Sequence, residues 1–204
     1  MKTETNKQTA SKWDQSAASF DLMNAGVEFR FGRQKREWFS RARGKTLLVA
    51  VGTGLDLPYL PPEAEVIGVD ISEKMLEQAA EKIKKSGEGT KLMRADVQNF
   101  GFSDNSIDTV VTSCTFCSVP DPVKGLKELL RVLKPGGKML MFEHVRSNIS
   151  WMGPMLDILT VFMRRVGPEL NRDTRGNILK AGFRLTREVN VHLDMVKLFE
   201  AEKP

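Results

Sequence analysis

The stretch that decides the fold is TLLVAVGTGLDLP, residues 46–58. A short apolar run leads directly into a loop in which Gly52 and Gly54 flank Thr53. Where a buried parallel strand ends and a helix begins, backbone N–H groups are unpaired, and glycine lets a ligand approach them closely. The stretch therefore predicts a strand followed by a loop that binds a small molecule, or, as the alternative, a plain glycine turn.

This loop does not fit the fingerprint of nicotinamide-dinucleotide enzymes. That fingerprint needs a third glycine three residues after the second, and here the position is Leu57, followed by Pro58. A dehydrogenase is therefore disfavoured.

Three further strand-like runs follow the glycine loop, and two of them end at an acid. Residues 65–70 (EVIGVD) end at Asp70, residues 91–95 stop at Asp96, and residues 107–113 stop at a small polar cluster. A carboxylate at such a strand end accepts hydrogen bonds from ribose hydroxyls. The ordered series predicts a nucleotide-like ligand, although acids that merely cap helices would give the same residues.

The series of motifs resembles that of class I S-adenosylmethionine-dependent methyltransferases over roughly residues 45–145. The matching segments are GTG, VDISEKML, RADVQ, SIDTVV and RVLKPGGKML. The resemblance implies an α/β fold, a Rossmann-like doubly wound seven-stranded sheet in the order 3-2-1-4-5-7-6 with the last strand antiparallel. It also implies S-adenosyl-L-methionine as cofactor.

By this resemblance, the glycine loop holds the methionine part of the cofactor, Asp70 binds the ribose and Asp96 faces the adenine amino group. The cofactor residues implied are Ala50, Gly52, Thr53, Gly54, Asp70, Ile71, Met75, Asp96, Val97 and Ser113. Two positions depart from the family, which usually has an acid at Leu48 and a glycine at Ala50. An alternative of another class is therefore a membrane-associated binding protein that keeps the fold without the activity.

The rest of the chain predicts alternating elements. We expect a helix over residues 121–133, a fifth strand over 138–144 and a last helix over 172–181 that Gly182 stops. A closing hairpin is expected over residues 183–190 and 192–201.

Charge is concentrated at the start of the chain. Up to Lys45 there are ten basic and five acidic residues, which accounts for the whole net charge of +5. We predict a basic helical arm over residues 1–44 and a methyltransferase domain over 45–204, and the arm either binds an anionic membrane surface or packs on the domain. The pattern argues against a nucleic-acid partner, because no aromatic residues alternate with the basic ones.

A Met-rich apolar segment, residues 151–163, predicts a cap over about residues 146–170. Flanked by Arg164, Arg165 and Arg172, it suits an apolar acceptor with an anionic group or contact with a bilayer. The alternative is a helix that buries one face against the sheet edge. The segment is too short to span a membrane, and residues 1–12 do not have the composition of a secretory signal, so a cytoplasmic protein, or one peripheral to the inner face of the membrane, is expected.

Finer motifs point to the acceptor. FCSV (116–119), EHV (143–145) and NRDT (171–174) are similar to segments of bacterial phosphatidylethanolamine N-methyltransferases, alkyl-thiol S-methyltransferases and quinone C-methyltransferases. The resemblance implies methyl transfer to a lipid-like or small hydrophobic acceptor, first of all a phospholipid amine. A small thiol and a quinone carbon are the alternatives, and the sequence leaves the oligomeric state open.

The proposed reaction is an in-line displacement at the sulfonium methyl, which depends mainly on alignment. His144 is the candidate base for an acceptor that arrives protonated, with Asp21 and Glu143 behind it. Cys114 and Cys117 have the spacing of half a zinc site, but no second pair completes a set, and we predict no metal.

Overall fold

A computed structural model describes residues 6–86, 89–163 and 168–204. Along the chain it contains α1 (Asn6–Phe39), β1 (Lys45–Val49), a 3-10 helix (Leu57–Tyr59), β2 (Glu65–Asp70), α2 (Glu73–Ser86), β3 (Lys91–Arg94), β4 (Ile107–Ser113), α3 (Pro122–Val132), β5 (Leu133–His144), α4 (Met152–Met163), α5 (Thr174–Lys180), β6 (Arg184–His192) and β7 (Val196–Glu202).

All seven strands form one sheet in the order β3-β2-β1-β4-β5-β7-β6. The first five strands are mutually parallel, and β7 pairs antiparallel with both β5 and β6. The fold class expected from the sequence is confirmed. Because the central strands are covered on both faces, they are buried almost without interruption, as in β4, where Thr109 and Thr112 are buried along with Val110 and Val111.

Helices cover the two faces of the sheet. On one face, α3 and α5 bury Leu126, Leu129 and Ile178 against the strands. On the other face, α1 buries Phe31 and Phe39 over β1 and β5. Thus α1, which makes up most of the predicted basic arm, packs on the sheet and places its exposed basic residues on the outer side, where Arg33 pairs with Glu37.

Three predicted boundaries are wrong by a few residues. The fifth strand begins at Leu133 rather than 138. Leu133 already pairs with Ile107 of β4, and the pairing resumes at Lys138 with Thr109 after a shift in register. The last helix starts at Thr174, where Asp173 caps it by accepting a hydrogen bond from the Gly176 backbone N–H at 2.9 Å.

The third error concerns the closing hairpin. His192 ends β6 instead of opening the next strand, and the turn falls at Leu193 and Asp194. Both turn residues have positive φ, 46° and 54°. Consecutive left-handed residues are typical of a tight type I′-like hairpin turn, which the sequence does not announce because neither residue is glycine.

Candidate active site

A cavity of about 340 Å³ lies over the carboxyl ends of β1, β2 and β4. Its size is in the range of small-molecule sites. Eight of the ten predicted cofactor residues line it, namely Ala50, Gly52, Asp70, Ile71, Met75, Asp96, Val97 and Ser113. The predicted base His144 lies at the same cavity, so the structure brings together groups from five strand ends.

Thr53 and Gly54 do not line the cavity. Thr53 is fully buried and donates its hydroxyl to Asp21, whereas the Gly54 backbone N–H donates to the Val51 carbonyl at 2.9 Å. These two residues support the glycine loop on the side away from the cavity. The left-handed φ of 86° at position 54 requires glycine.

Asp70 anchors the centre of the cavity. Its two carboxylate oxygens accept hydrogen bonds from the backbone N–H groups of Gly52, at 2.8 Å, and Ser72, at 2.9 Å. Burial raises the pKa of Asp70. The two hydrogen bonds favour the ionised form and lower the pKa, but burial outweighs them. One carboxylate thus fixes the glycine loop to the end of β2 and retains lone pairs for a ligand.

The glycine loop enters the cavity through a strained residue. Ala50, at the end of β1, has φ +54°, which is a left-handed conformation that glycine adopts without cost. Gly52 follows with φ +55°, and a Cβ there would meet the Phe20 ring at 3.6 Å. The loop therefore has two left-handed residues, although the first of them carries a methyl group.

Helix α1 forms a wall of the cavity that the sequence interpretation did not predict. Its residues Asn6, Thr9, Trp13, Ser16, Phe20, Met23, Asn24 and Val27 all line the cavity. The signal was present as a stripe of small and apolar residues with alternating spacings of three and four, namely Ala10, Trp13, Ala17, Phe20, Asn24, Val27 and Phe31. The basic residues interspersed along the arm mask this stripe.

Polar contacts tie this half of α1 to the loops around the cavity. Asp14 accepts a hydrogen bond from the Ser72 hydroxyl at 2.6 Å, and Asn6 donates to Asp96. Asp21 accepts from the Lys82 ammonium at 2.6 Å as well as from Thr53. Asp21, which the sequence suggested as a reserve base, is thus placed in a structural contact and not at the cavity surface.

The remaining candidate acid, Glu143, is fully buried beneath the cavity wall. It accepts hydrogen bonds from the Thr112 hydroxyl at 2.9 Å and from the backbone N–H groups of Thr115, at 3.1 Å, and Phe116, at 3.2 Å. Burial raises the pKa of Glu143 to about 7. These contacts fix the loop after β4, so Glu143 positions the residues of this loop that line the cavity.

His144, at the carboxyl end of β5, is the candidate base and lines the cavity. Burial lowers the pKa of its imidazole, so the ring is neutral at neutral pH and can accept a proton. Cys114 and Cys117 line the same cavity as free cysteines. Because burial raises the pKa of both thiols, to about 12 for Cys117, they stay protonated and poorly nucleophilic.

The predicted cap is only partly adjacent to the cavity. Of its described residues, Pro168 lines the cavity, while Met152 and Leu156 of α4 are buried against the domain. Other residues of α4 are exposed, including Ile158 at 65%, and so is Trp151, just before the helix, at 63%. The predicted flanking residues Arg164 and Arg165 lie outside the described residues.

The strand order of the sheet, with a cavity lined by Asp70 and Asp96 at the strand ends, defines a class I methyltransferase fold. A sequence profile described as "Methyltransferase domain" matches residues 47–141. A demethylmenaquinone methyltransferase of Bacteroides fragilis is 31% identical over 178 residues, which cover 82% of this chain and 71% of that protein. The chain therefore belongs to the S-adenosylmethionine-dependent methyltransferases.

A second sequence relative and a solved structure are also similar to this chain. A phosphatidylethanolamine N-methyltransferase of Cereibacter sphaeroides is 38% identical over 126 residues, covering 61% of this chain and 62% of that protein. The crystal structure of an S-adenosylmethionine-dependent methyltransferase from Aquifex aeolicus superimposes with a TM-score of 0.67 at 22% identity, covering 98% of this chain and all of that one. The latter likeness concerns the fold alone.

Proposed function

We propose that this enzyme transfers a methyl group from S-adenosylmethionine, bound in the cavity over the strand ends, to a lipid-like or small hydrophobic acceptor. The residues present fit the cofactor. The Asp70 carboxylate suits the ribose hydroxyls, Asp96 suits an exocyclic amino group, and Ile71, Met75 and Val97 offer apolar walls to a flat ring. Bound there, the cofactor supplies an electrophilic methyl group.

The apolar lining of the cavity carries the proposal. Besides the residues that suit the cofactor, the cavity is lined by apolar side chains of two elements, Met23 and Val27 from α1 and Val119 and Pro120 from the loop before α3. Such a wall favours an acceptor with an apolar body. His144, neutral at neutral pH, takes the proton of an acceptor that arrives protonated.

A phospholipid amine is our first candidate, supported by the similarity to the phosphatidylethanolamine N-methyltransferase. A neutral acceptor, a quinone carbon or a small thiol, is the second. The observation in its favour is that Asp70 and Asp96, which are proposed to bind the nucleoside, are the only acidic residues lining the cavity in the described chain. An ammonium acceptor would find no other carboxylate there.

The acceptor is identified by incubating the enzyme with methyl-labelled S-adenosylmethionine and three classes of acceptor. These are phosphatidylethanolamine vesicles, a demethylated quinone with a short isoprenoid tail, and a long-chain alkyl thiol. We expect methyl transfer to the phospholipid amine, and mass spectrometry of the products detects it. Transfer to the quinone or thiol alone would select the second candidate, and absence of transfer to all three would contradict the proposal.

We also propose that the enzyme works peripherally on a membrane, with the exposed face of α4 against the bilayer. Met155, Ile158 and Val161 of α4 and Trp151 just before it are exposed to solvent, and Pro168, further along the chain, lines the cavity. Tryptophan and aliphatic side chains partition into the bilayer interface. No helix among the described residues has the length and apolar character needed to cross a bilayer.

Vesicle sedimentation tests this surface. Replacing Trp151 and Ile158 together by serine is expected to lower vesicle binding about tenfold or more, because each side chain loses roughly 1–3 kcal/mol of apolar burial. Leu193→Ser is the matched control, since Leu193 is 51% exposed but lies in the hairpin turn after β6. Equal vesicle binding by the double variant and the control would rule the α4 face out.

A further inference from the structure

An irregular segment just before α5, residues 168–172 (PELNR), is half-buried along its whole length. Its first residue, Pro168, lines the cavity. A segment outside helices and strands has no ladder to satisfy its backbone groups, so the partners of those groups show what the segment holds. We call residues 168–172 the strap.

On one side, the strap holds the loop after β4. The Glu169 backbone N–H donates to the Cys117 carbonyl at 2.9 Å, and the Arg172 guanidinium donates to the Val119 carbonyl at 2.9 Å. Arg172 also forms an ion pair with Glu169, with 2.9 Å between its Nε and a carboxylate oxygen, and the two side chains are only 18% and 23% exposed. Cys117 and Val119 both line the cavity, so the strap fixes a stretch of the cavity wall.

On the other side, the strap holds the chain that leaves β5. The Arg146 backbone N–H donates to the Arg172 carbonyl at 3.0 Å. Arg146 comes two residues after His144, the candidate base. Arg172 thus contacts the loop after β4 through its side chain and the segment after His144 through its backbone. It links two parts of the cavity lining that follow different strands.

Helix α4 holds the middle of the strap. The Leu170 backbone N–H donates to the Thr160 hydroxyl oxygen at 3.0 Å, and the Asn171 side-chain amide donates to the Asp157 carboxylate at 3.0 Å. Thr160 is almost completely buried, so its hydrogen bond is shielded from water. The strap is therefore anchored to a helix as well as to the segments that follow two strands.

The contacts of the strap differ from those that hold the groups proposed for the cofactor. Asp70 is held by the backbone N–H groups of Gly52 and Ser72, which belong to the glycine loop and to the segment after β2. The side chain of Arg172 contacts the loop after β4 instead. Arg172 itself is not among the described residues that line the cavity, so it acts on a bound molecule only through this loop.

We propose that Arg172 is a positioning residue for the methyl acceptor, because it holds residues 117–119 of the cavity wall at a fixed place relative to His144. The inference rests on the proposed function, in which the apolar part of the cavity receives the acceptor. The reaction needs the acceptor atom in line with the sulfonium methyl, and a displacement of about 1 Å can lower a rate about 100-fold. A wall that shifts therefore impairs transfer even when the cofactor is bound normally.

The two cysteines of the chain report the state of this wall directly. Cys114 and Cys117 both belong to the loop after β4, and Cys117 is buried. We expect Arg172→Ala to raise the rate at which N-ethylmaleimide labels Cys117 about tenfold, the effect of losing one charge-assisted hydrogen bond. Peptide mass spectrometry assigns the label to each cysteine.

Kinetics separates positioning from a general loosening of the cavity. We expect the catalytic efficiency of Arg172→Ala toward phosphatidylethanolamine vesicles, or toward the quinone or thiol if the wild type prefers one, to fall about 10- to 100-fold. Calorimetric affinity for S-adenosylhomocysteine should stay within twofold. Arg172→Lys, which keeps a charged donor, should recover part of the efficiency. Arg175→Ala is the matched control, because Arg175 is a nearby arginine that pairs with Glu188 of β6 instead.

Labelling of Cys117 in Arg172→Ala at the rate of Arg175→Ala would overturn the inference, and so would wild-type efficiency toward the acceptor. Equal losses of S-adenosylhomocysteine affinity and of efficiency would show a general loosening and also overturn it. If Arg172→Ala does not fold, Glu169→Gln removes the ion pair and keeps the backbone hydrogen bond to Cys117, and the same outcomes apply with smaller changes. A wild type that methylates none of the three acceptors would contradict the proposed function itself, whereas unchanged variants of an active wild type contradict only the role of Arg172.

Discussion

Replacing Asp70 by alanine is expected to weaken S-adenosylhomocysteine binding at least about 100-fold and to abolish methyl transfer at ordinary cofactor concentrations. The carboxylate is proposed to accept two hydrogen bonds from the ribose. Charge-assisted hydrogen bonds contribute about 1.5–3 kcal/mol each, so the loss of two corresponds to a factor of about 100 or more. The loss is larger if the glycine loop moves.

The loop is expected to move, because Asp70 holds it directly. The Gly52 and Ser72 backbone N–H groups both donate to this carboxylate. Without it, two buried donors lose their partner, which costs roughly 1–3 kcal/mol for each of them. Asp70→Ala should therefore lower the melting temperature as well, and Asp70→Asn, which retains one acceptor oxygen, should lie between wild type and alanine in both measurements.

The control is another carboxylate that accepts a hydrogen bond from a backbone N–H, at the opposite edge of the sheet. Asp108 accepts a hydrogen bond from the Lys45 backbone N–H at 2.9 Å and pairs with Lys134 at 2.6 Å. Asp108→Asn should reduce stability and leave ligand affinity unchanged. If Asp70→Ala binds S-adenosylhomocysteine as tightly as Asp108→Asn does, the ribose is bound elsewhere.

Most of the sheet could be predicted because each parallel strand is a short apolar run with a clear stop. Strands β2 and β4 have the bounds that the sequence suggests, since an acid or a polar cluster ends each one. Boundaries failed where long-range pairing decides them. Leu133 is extended because it meets Ile107 across the sheet, and no local propensity announces that contact.

Only the side of the cavity that the strand ends form was predictable from the sequence. Groups at the ends of parallel strands must converge at one edge, so Asp70, Ser113 and His144 could be placed together from the order of the motifs. A helix that folds back over that edge is set by tertiary packing, and its sequence separation from the strands hides the relation. Asn6 and Asp96, for example, are 90 residues apart and hydrogen-bonded.

Charge patterns were the least informative signal. Lys35 counted as one more basic residue of an exposed arm, but its side chain is 3% exposed and its ammonium lies between two carboxylates. Lys35 falls on the apolar side of α1, seven residues after Glu28, to which it donates a hydrogen bond. Sequence alone gives the sign of a charge, and its burial depends on what the helix packs against.

His144→Ala is expected to lower the turnover number about 100-fold and to leave S-adenosylhomocysteine affinity within twofold of wild type. The imidazole lines the cavity from the end of β5 and is not among the groups proposed to hold the nucleoside. General-base catalysis commonly contributes factors of about 100 to 10,000, and a residual rate remains because alignment is unaffected. The matched control is His192→Ala, since the second histidine ends β6 and contacts Phe31 of α1.

The pH profile identifies the base independently of the rate. Because burial lowers the pKa of His144 below its usual 6.5, the neutral, proton-accepting form persists as the pH falls through that value. Activity of the wild type should therefore decline only below about pH 6.5, and this acid limb should be absent in His144→Ala, since nothing is left to protonate. An acid limb that survives the substitution would mean that another group takes the proton, and an unchanged turnover number would mean that the acceptor arrives already deprotonated.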